Sequence, residues 1–288
     1  MFQPDLLKGR TILITGGGTG LGRSMALRFA ELSASLFLVG RREEPLAKTC
    51  DEIRAKGMRS GYTCCDVRHF AAVERAIAAA EKEFGRVDTL VNNAAGNFIA
   101  RTERLSPNAF DAVVGIVLQG TFYCTLALAR KWIAGHQPGN ILNIAATYAA
   151  VGSGSGFVVP SACAKAGVLA MTRSLAVEWA RYRIRLNAIA PGPFPTEGAW
   201  SRLLPTTELE ARARQAHPMK RFGRHDELAN LAAYLLSDMS EYVNGECVVI
   251  DGGLWLRGAG EFNDFVDFPD AGWDLMEAAR KKPPEGSR

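Results

Sequence analysis

No C-x-x-C pair occurs among the six cysteines of this 288-residue chain, which are Cys50, Cys64, Cys65, Cys124, Cys163 and Cys247. A disulfide framework is therefore not expected, the thiols read as reduced and buried, and no metal site is expected. The opening MFQPDLLKGR has no apolar core of a secretory signal, and it stands too close to the first strand to hold a transit peptide. An uninterrupted run of about 18 apolar residues is missing, so no membrane partner is expected. Basic residues are scattered and the net charge is only +4, which argues against nucleic acid as a partner. These absences together predict a cytoplasmic protein. What is present is an ordinary mixture, 48% hydrophobic and 22% charged, long enough to bury a core without covalent staples. The mild positive balance suits an anionic ligand such as a nucleotide or a coenzyme A ester.

Short apolar runs of strand type alternate with helical patterns. Strands are predicted at Thr11–Thr15, Ser35–Val39, Tyr62–Cys65, Val87–Val91, Asn140–Ile144, Ile184–Ala188 and Cys247–Ile250. Helices are predicted over about 21–32, 44–57, 70–84, from Ser106-Pro107 onward, 160–180 and 225–237. This alternation predicts an α/β fold: a single doubly wound parallel sheet of about seven strands with helices on both faces. No repeat or low-complexity linker breaks it, so residues 1–288 read as one domain. Residues 258–288 form a C-terminal tail containing an acidic-aromatic segment and a short helix. The Pro191–Gly198 stretch reads as a loop covering the substrate.

The first strand runs into Thr15-Gly16-Gly17-Gly18-Thr19-Gly20-Leu21-Gly22 and then a helix. Glycines allow a tight turn and a close backbone approach to a pyrophosphate, and the helix N-terminus offers N–H groups and a positive dipole end. Selection between cofactors falls at the end of the second strand. An acidic residue there would suit the ribose 2′-hydroxyl of NAD, whereas this chain has Arg41 and Arg42. Two guanidinium groups suit a 2′-phosphate, so NADP(H) is the expected cofactor. Asp66 and Val67 follow the third strand, where Asp66 could meet the adenine or cap the next helix. Asn92-Asn93-Ala94-Ala95-Gly96 follows the fourth, where Asn93, Ala94 and Gly96 would let the chain pass close to the nucleotide. Lys165 stands among Ala and Gly on an apolar helix, a costly position unless its charge is used.

With TGGGTGLG, NNAAG, a strand-five end and Lys165 set in a helix, the chain resembles the short-chain dehydrogenase/reductase family over about residues 8–255. That family's usual set is a Ser after strand five, a Tyr-x-x-x-Lys pair and an Asn on the preceding long helix. Here Ser161 stands four residues before Lys165, Ala146 lies at the strand-five end, and Gln119 stands where Asn is usual. The segments NNAAGNF, TERLSPNAF, GSGFVVPSA, AKAGV and GEFND are similar to the 2,4-dienoyl-CoA reductases, a group that moves its Tyr to the strand-five loop and leaves Ser before the Lys.

The resemblance implies NADPH-dependent reduction of an acyl-CoA thioester by a homotetramer, in the breakdown of unsaturated fatty acids. It implies Tyr148, Asn97, Lys165 and Ser161 as the catalytic set. Tyr148 and Asn97 would donate to the thioester oxygen, and Lys165 would hold the nicotinamide ribose. It implies that Pro191-Gly192-Pro193-Phe194 closes over the nicotinamide. Arg41, Arg68 and Arg202 would handle phosphates of the cofactor or acyl-CoA, while Phe98, Ser106 and Ser161 would touch the acyl-CoA. Other readings stay open on the residues alone: a reductase of another thioester or carbonyl, or a non-catalytic NADP(H)-binding scaffold.

Overall fold

A computed structural model describes residues 2–150, 155–196 and 206–281. Its strands are β1 (Thr11–Thr15), β2 (Ser35–Gly40), β3 (Ser60–Cys64), β4 (Thr89–Asn92), β5 (Gly139–Ile144), β6 (Ile184–Pro191) and β7 (Cys247–Ile250). They form one sheet of seven in the order β3-β2-β1-β4-β5-β6-β7, every neighbouring pair parallel. The order reverses between β1 and β4, which opens a crevice beyond their carboxyl ends, where doubly wound sheets bind ligands. Strand β6 outruns its predicted end by three residues because Ala188–Pro191 pairs with β7. Pro191 is tolerated there as the last residue of the strand.

Burial on both faces explains the near-continuous apolar strands. Ile12, Ile14, Leu36 and Leu38 point to one face, against Met25 and Phe29 of α1 (Gly20–Glu31), Leu46 and Ile53 of α2 (Glu43–Ala55) and Leu228 of the helix His225–Leu236. The alternate residues Leu13, Phe37 and Leu90 point the other way. They meet Val73 and Ile77 of α3 (Phe70–Phe84) and Leu128 and Trp132 of α5 (Gly120–Ala134). Deleting a fully buried ring such as Phe29 would cost about 3–5 kcal/mol.

Ser106 starts α4 (Pro107–Val114) as predicted, its hydroxyl accepting the Ala109 N–H at 3.3 Å. A π turn at Gly115–Gln119 joins α4 to α5, and such turns recur at functional sites. The combined rod Pro107–Ala134 is long and apolar enough, by length and composition, to cross a membrane. In this fold part of its apolar surface faces protein, while Phe110 and Phe122 stand exposed. Leu128 and Trp132 enter the core, while Val113 and Val117 pack on Ala164 and Val168 of α7 (Val159–Trp179).

A four-residue helix, α6 (Thr147–Ala150), lies between β5 and α7. Helix α8 (Thr207–Ala216) was not legible as a helix, although Thr206 caps it through the Leu209 N–H and Glu208 and Glu210 fill its first turn. Next in the chain come α9, the His225–Leu236 helix already placed on the first face, and α10 (Leu254–Ala259). The tail corrects the short-helix expectation, for α11 (Asp270–Lys281) has 12 residues. Trp273 of this helix meets Phe268 edge-on at 5.6 Å. Asp267 bonds to both Lys220 and Arg257, tying the tail back to the body. No cysteine is in a disulfide, but only Cys50, Cys65 and Cys124 are buried. Cys64, at the end of edge strand β3, and Cys163, on α7, are exposed, against expectation.

Candidate active site

The glycine turn has the shape the sequence implied. Gly16 has φ +67°, and a side chain on Gly22 would lie 2.2 Å from the Gly16 carbonyl oxygen. Helix α1 therefore begins closer to β1 than any larger residue would allow. No side chain caps α1 at Thr19, so its first N–H groups are left for an anion. A cavity of about 440 Å³ opens here. The glycine turn contributes Gly16, Gly18, Thr19 and Leu21 to its wall, and the end of β2 contributes Arg41 and Arg42. Asp66, Val67, Asn93, Ala94, Lys165 and Pro191 complete the predicted part of the lining. Residues from Gly16 to Pro191 are thus gathered into one crevice whose donors and cations fit a dinucleotide phosphate.

Several side chains have more local duties than expected. Asn93 donates through Nδ2 to the carbonyls of Thr15 and Gly16, at 3.0 and 3.3 Å, so it staples the end of β4 to the glycine turn. Thr15 Oγ1 accepts the N–H groups of Asn93 and Ala94, both at 3.0 Å. Asp66 accepts from the Arg68 guanidinium on both carboxylate oxygens and from the Arg68 N–H. The Arg68 guanidinium holds the Asp66 carboxyl down at about 2. Arg68, expected to meet a phosphate, is therefore already paired, while Arg41 and Arg42 stand exposed at the cavity rim. Arg202 lies outside the described residues.

The reacting end is built by β5, α6 and α7. Tyr148 on α6 and Ser161 in the first turn of α7 are 13 residues apart, and their hydroxyl oxygens lie 2.7 Å from each other. Burial pushes the Tyr148 phenol above its ordinary range, opposed more weakly by the Ser161 bond. The phenol is consequently a proton-bearing donor at neutral pH. Lys165, one helical turn beyond Ser161, is 6% exposed and donates to the Ile144 carbonyl at the end of β5. Desolvation lowers its ammonium to about 8. Ala146 sits buried at the strand-five end, and Gln119 donates to Tyr123 Oη at 2.7 Å, bound to its own helix.

Asn97 is exposed, and its Oδ1 accepts the Phe98 N–H at 2.9 Å, which leaves the amide N–H₂ as the group able to donate outward. Phe98 is 36% exposed beside it. Ser106 is occupied as the cap of α4. Tyr148, Ser161, Asn97, Phe98 and Ser106 are not among the residues lining the nucleotide cavity, and of the five only Tyr148 and Ser161 are brought together by a side-chain hydrogen bond. In the Pro191–Phe194 segment, Gly192 donates to the Ile250 carbonyl and Pro193 accepts from Gly223. The Phe194 side chain turns into the core against Gly223, away from the cavity. Gly20, Gly22 and Gly96 shape the crevice without lining it.

A buried polar chain escaped the sequence reading. Asn92 Nδ2 donates to Thr125 Oγ1 and Asn143 Oδ1, and Asn143 donates to Thr172 Oγ1 at 2.8 Å. It pins β4 and β5 to α5 and α7 just behind the reacting end. Its only trace in the sequence is an Asn interrupting each of two apolar strands.

Residues 16–255 match the family model described as enoyl-(acyl carrier protein) reductase. The chain is 49% identical over 252 residues, 86% of this chain and 97% of the relative, to a probable 2,4-dienoyl-CoA reductase of Bacillus subtilis named as producing (2E)-enoyl-CoA. It is 43% identical over 260 residues, 88% of this chain and 82% of the relative, to a probable 2,4-dienoyl-CoA reductase of Caenorhabditis elegans named as producing (3E)-enoyl-CoA. Among solved structures, a gluconate 5-dehydrogenase of Burkholderia cenocepacia in complex with NADP and tartrate superposes with a TM-score of 0.80 at 34% identity, covering 87% of this chain and 97% of that one. Sequence, topology and crevice agree that this oxidoreductase belongs to the short-chain dehydrogenase/reductase family, and that within it the chain is most like the 2,4-dienoyl-CoA reductases.

Proposed function

We propose that the protein reduces 2,4-dienoyl-CoA thioesters to 3-enoyl-CoA with NADPH, in the auxiliary steps of unsaturated fatty acid breakdown. The observation that carries this reading is the Tyr148–Ser161 hydrogen bond standing one helical turn ahead of the buried Lys165. It supports a phenol donor that has left the usual helix position for the strand-five loop. Bound in the crevice, a reduced nicotinamide would supply a hydride. The far end of the conjugated diene accepts it, and negative charge moves through the double bonds to the thioester oxygen. Tyr148 O–H and Asn97 N–H₂ donate to that oxygen, and a proton returned to carbon two leaves the remaining double bond at carbon three. Water is the simplest source of that proton. Lys165, fixed on the Ile144 carbonyl, holds the nicotinamide ribose hydroxyls. Arg41 and Arg42 take the 2′-phosphate that separates NADPH from NADH. Ala146 supports this reaction over ketone reduction, because it brings no hydroxyl to the position where the family's usual serine polarises a ketone.

On the same reading residues 1–288 are one NADP(H)-binding domain, cytoplasmic and homotetrameric. The test is NADPH consumption with 2,4-hexadienoyl-CoA beside acetoacetyl-CoA and crotonyl-CoA, with NMR of the product. Turnover of the dienoyl ester alone, giving the 3-enoyl product, is expected. A 2-enoyl product would move the proton from carbon two to carbon four of the same dienolate and overturn the 3-enoyl outcome, leaving Tyr148 its role at the thioester oxygen. Turnover of the other esters alone would make the protein a reductase of a different thioester, and no turnover of any would favour a scaffold.

A further inference from the structure

The segment after β6 carries a contact that the proposed reaction does not explain. His225, half-buried at the start of α9, places Nε2 2.6 Å from the Pro195 carbonyl oxygen and Nδ1 2.7 Å from Ser24 Oγ. A carbonyl only accepts, so Nε2 carries the proton. Ser24 sits one turn into α1, and its hydroxyl also reaches the Gly20 carbonyl at 3.1 Å. The next residue in the loop, Thr196, lines the nucleotide cavity. A side chain on Gly20, whose φ is +54°, would meet Thr196 Cγ2 at 3.3 Å. One imidazole therefore joins the start of α1 to the segment after β6 whose Thr196 lines the cavity.

We infer that His225 is a positioning residue that fixes Pro195 and Thr196 over the nicotinamide side of the crevice. Among the described residues, the other anchors of this loop lie earlier in it. Gly192 donates to Ile250, Pro193 accepts from Gly223, and Phe194 is buried in the core. Past Phe194 the backbone has one described hydrogen bond, the one from His225. Arg28 Nε donates to Asn230 Oδ1 at 2.8 Å one to two turns further along the same pair of helices, so α1 and α9 stay docked when the imidazole is removed. Pro195 and Thr196 then lose this anchor, while on the adenosine side Ser24 loses a partner but keeps the Gly20 carbonyl, and the glycine turn and Arg41 are not touched directly. The inference rests on the cofactor reading given above, although not on the identity of the substrate.

The experiment compares two ligands by titration: NADPH, and 2′,5′-ADP, which lacks the nicotinamide half. His225→Ala is expected to weaken NADPH roughly 3- to 10-fold, the loss of one or two hydrogen bonds, and to leave 2′,5′-ADP within about twofold. His225→Gln, which retains an N–H donor and an acceptor, should restore most of the NADPH affinity, and Ser24→Ala should show a smaller loss of the same selective kind. Equal losses for both ligands would reduce His225 to a helix-packing residue and overturn the inference. Unchanged NADPH affinity in His225→Ala would overturn it as well. Failure of the unsubstituted protein to bind NADPH while binding NADH would instead defeat the choice of cofactor, and the same comparison repeated with NADH and ADP would still decide the role of His225.

Discussion

The two ends of the crevice are built by different means. At the adenosine end, between β1 and β3, backbone does most of the work: glycines bring α1 against β1, and unclaimed N–H groups face the cavity. At the reacting end, beyond β4 and β5, side chains from distant stretches converge: Tyr148 on Ser161, Lys165 on Ile144, His225 on Pro195. A backbone site tolerates almost no added atoms. A side-chain site tolerates changes of shape and fails when a donor is lost.

The largest expected effect would break the backbone end outright. Gly22→Val puts carbon atoms where the Gly16 carbonyl stands, and NADPH binding should fall more than about 100-fold with a lower melting temperature. Gly156→Ala, with nothing within 4 Å, is the control and should change neither. Near-normal affinity in Gly22→Val would show that the turn is not a rigid cradle. At the other end, Tyr148→Phe removes one hydroxyl and almost no volume. Turnover of the dienoyl ester should drop about 10²- to 10³-fold while NADPH affinity holds. A fall in NADPH affinity instead would move Tyr148 into the cofactor site.

The boundary between the two ends can be sharpened with charge. Arg41→Ala combined with Arg42→Ala should weaken NADPH about 10- to 100-fold and NADH hardly at all. Equal losses would mean that these residues meet the shared phosphates and select nothing. Lys165 tests the cost of a buried cation. Its folded value, about 8, lies below the ordinary lysine value of 10.5, so between those pH values the unfolded chain binds more protons than the folded one. Stability must rise with pH through that window, by roughly 1–2 kcal/mol between pH 7.5 and 9.5. In Lys165→Met this rise should flatten in denaturant titrations, although ribose binding and turnover suffer; a slope identical to the parent's would place the lysine in water. Asn97→Ala should give the smallest effect, a severalfold loss of turnover, since the residue is exposed and half of its amide is engaged by Phe98.

How far each end could be read in advance follows the same division. Thr11–Thr15, Phe70–Phe84 and Cys247–Ile250 match their predicted ranges because apolar period and glycine breaks are local signals. Strand β6 was read short because its last four residues are stabilised by β7, some sixty positions away. The polar chain from Thr125 to Thr172 was invisible because each member is an ordinary residue until the sheet brings them together. For Arg68 and Ser106, expected at the ligand, the sequence does not show the local bonds that the fold adds, to Asp66 and to the α4 N-terminus. Phe194, expected in the closing loop, has its ring buried in the core beside Gly223, a placement set by packing with residues some thirty positions away.

By itself, the sequence determined the alternation that makes a parallel sheet, the glycine turn, and the basic end of β2. Each is written within a few residues, and backbone sterics or charge act at that range. Tertiary structure alone decided which donors are available. Hydrogen bonds join atoms within about 3 Å whatever their separation in the chain. Packing left Arg41 exposed at the rim while pairing Arg68, brought the Tyr148 phenol to Ser161, and set His225 between α1 and the loop after β6.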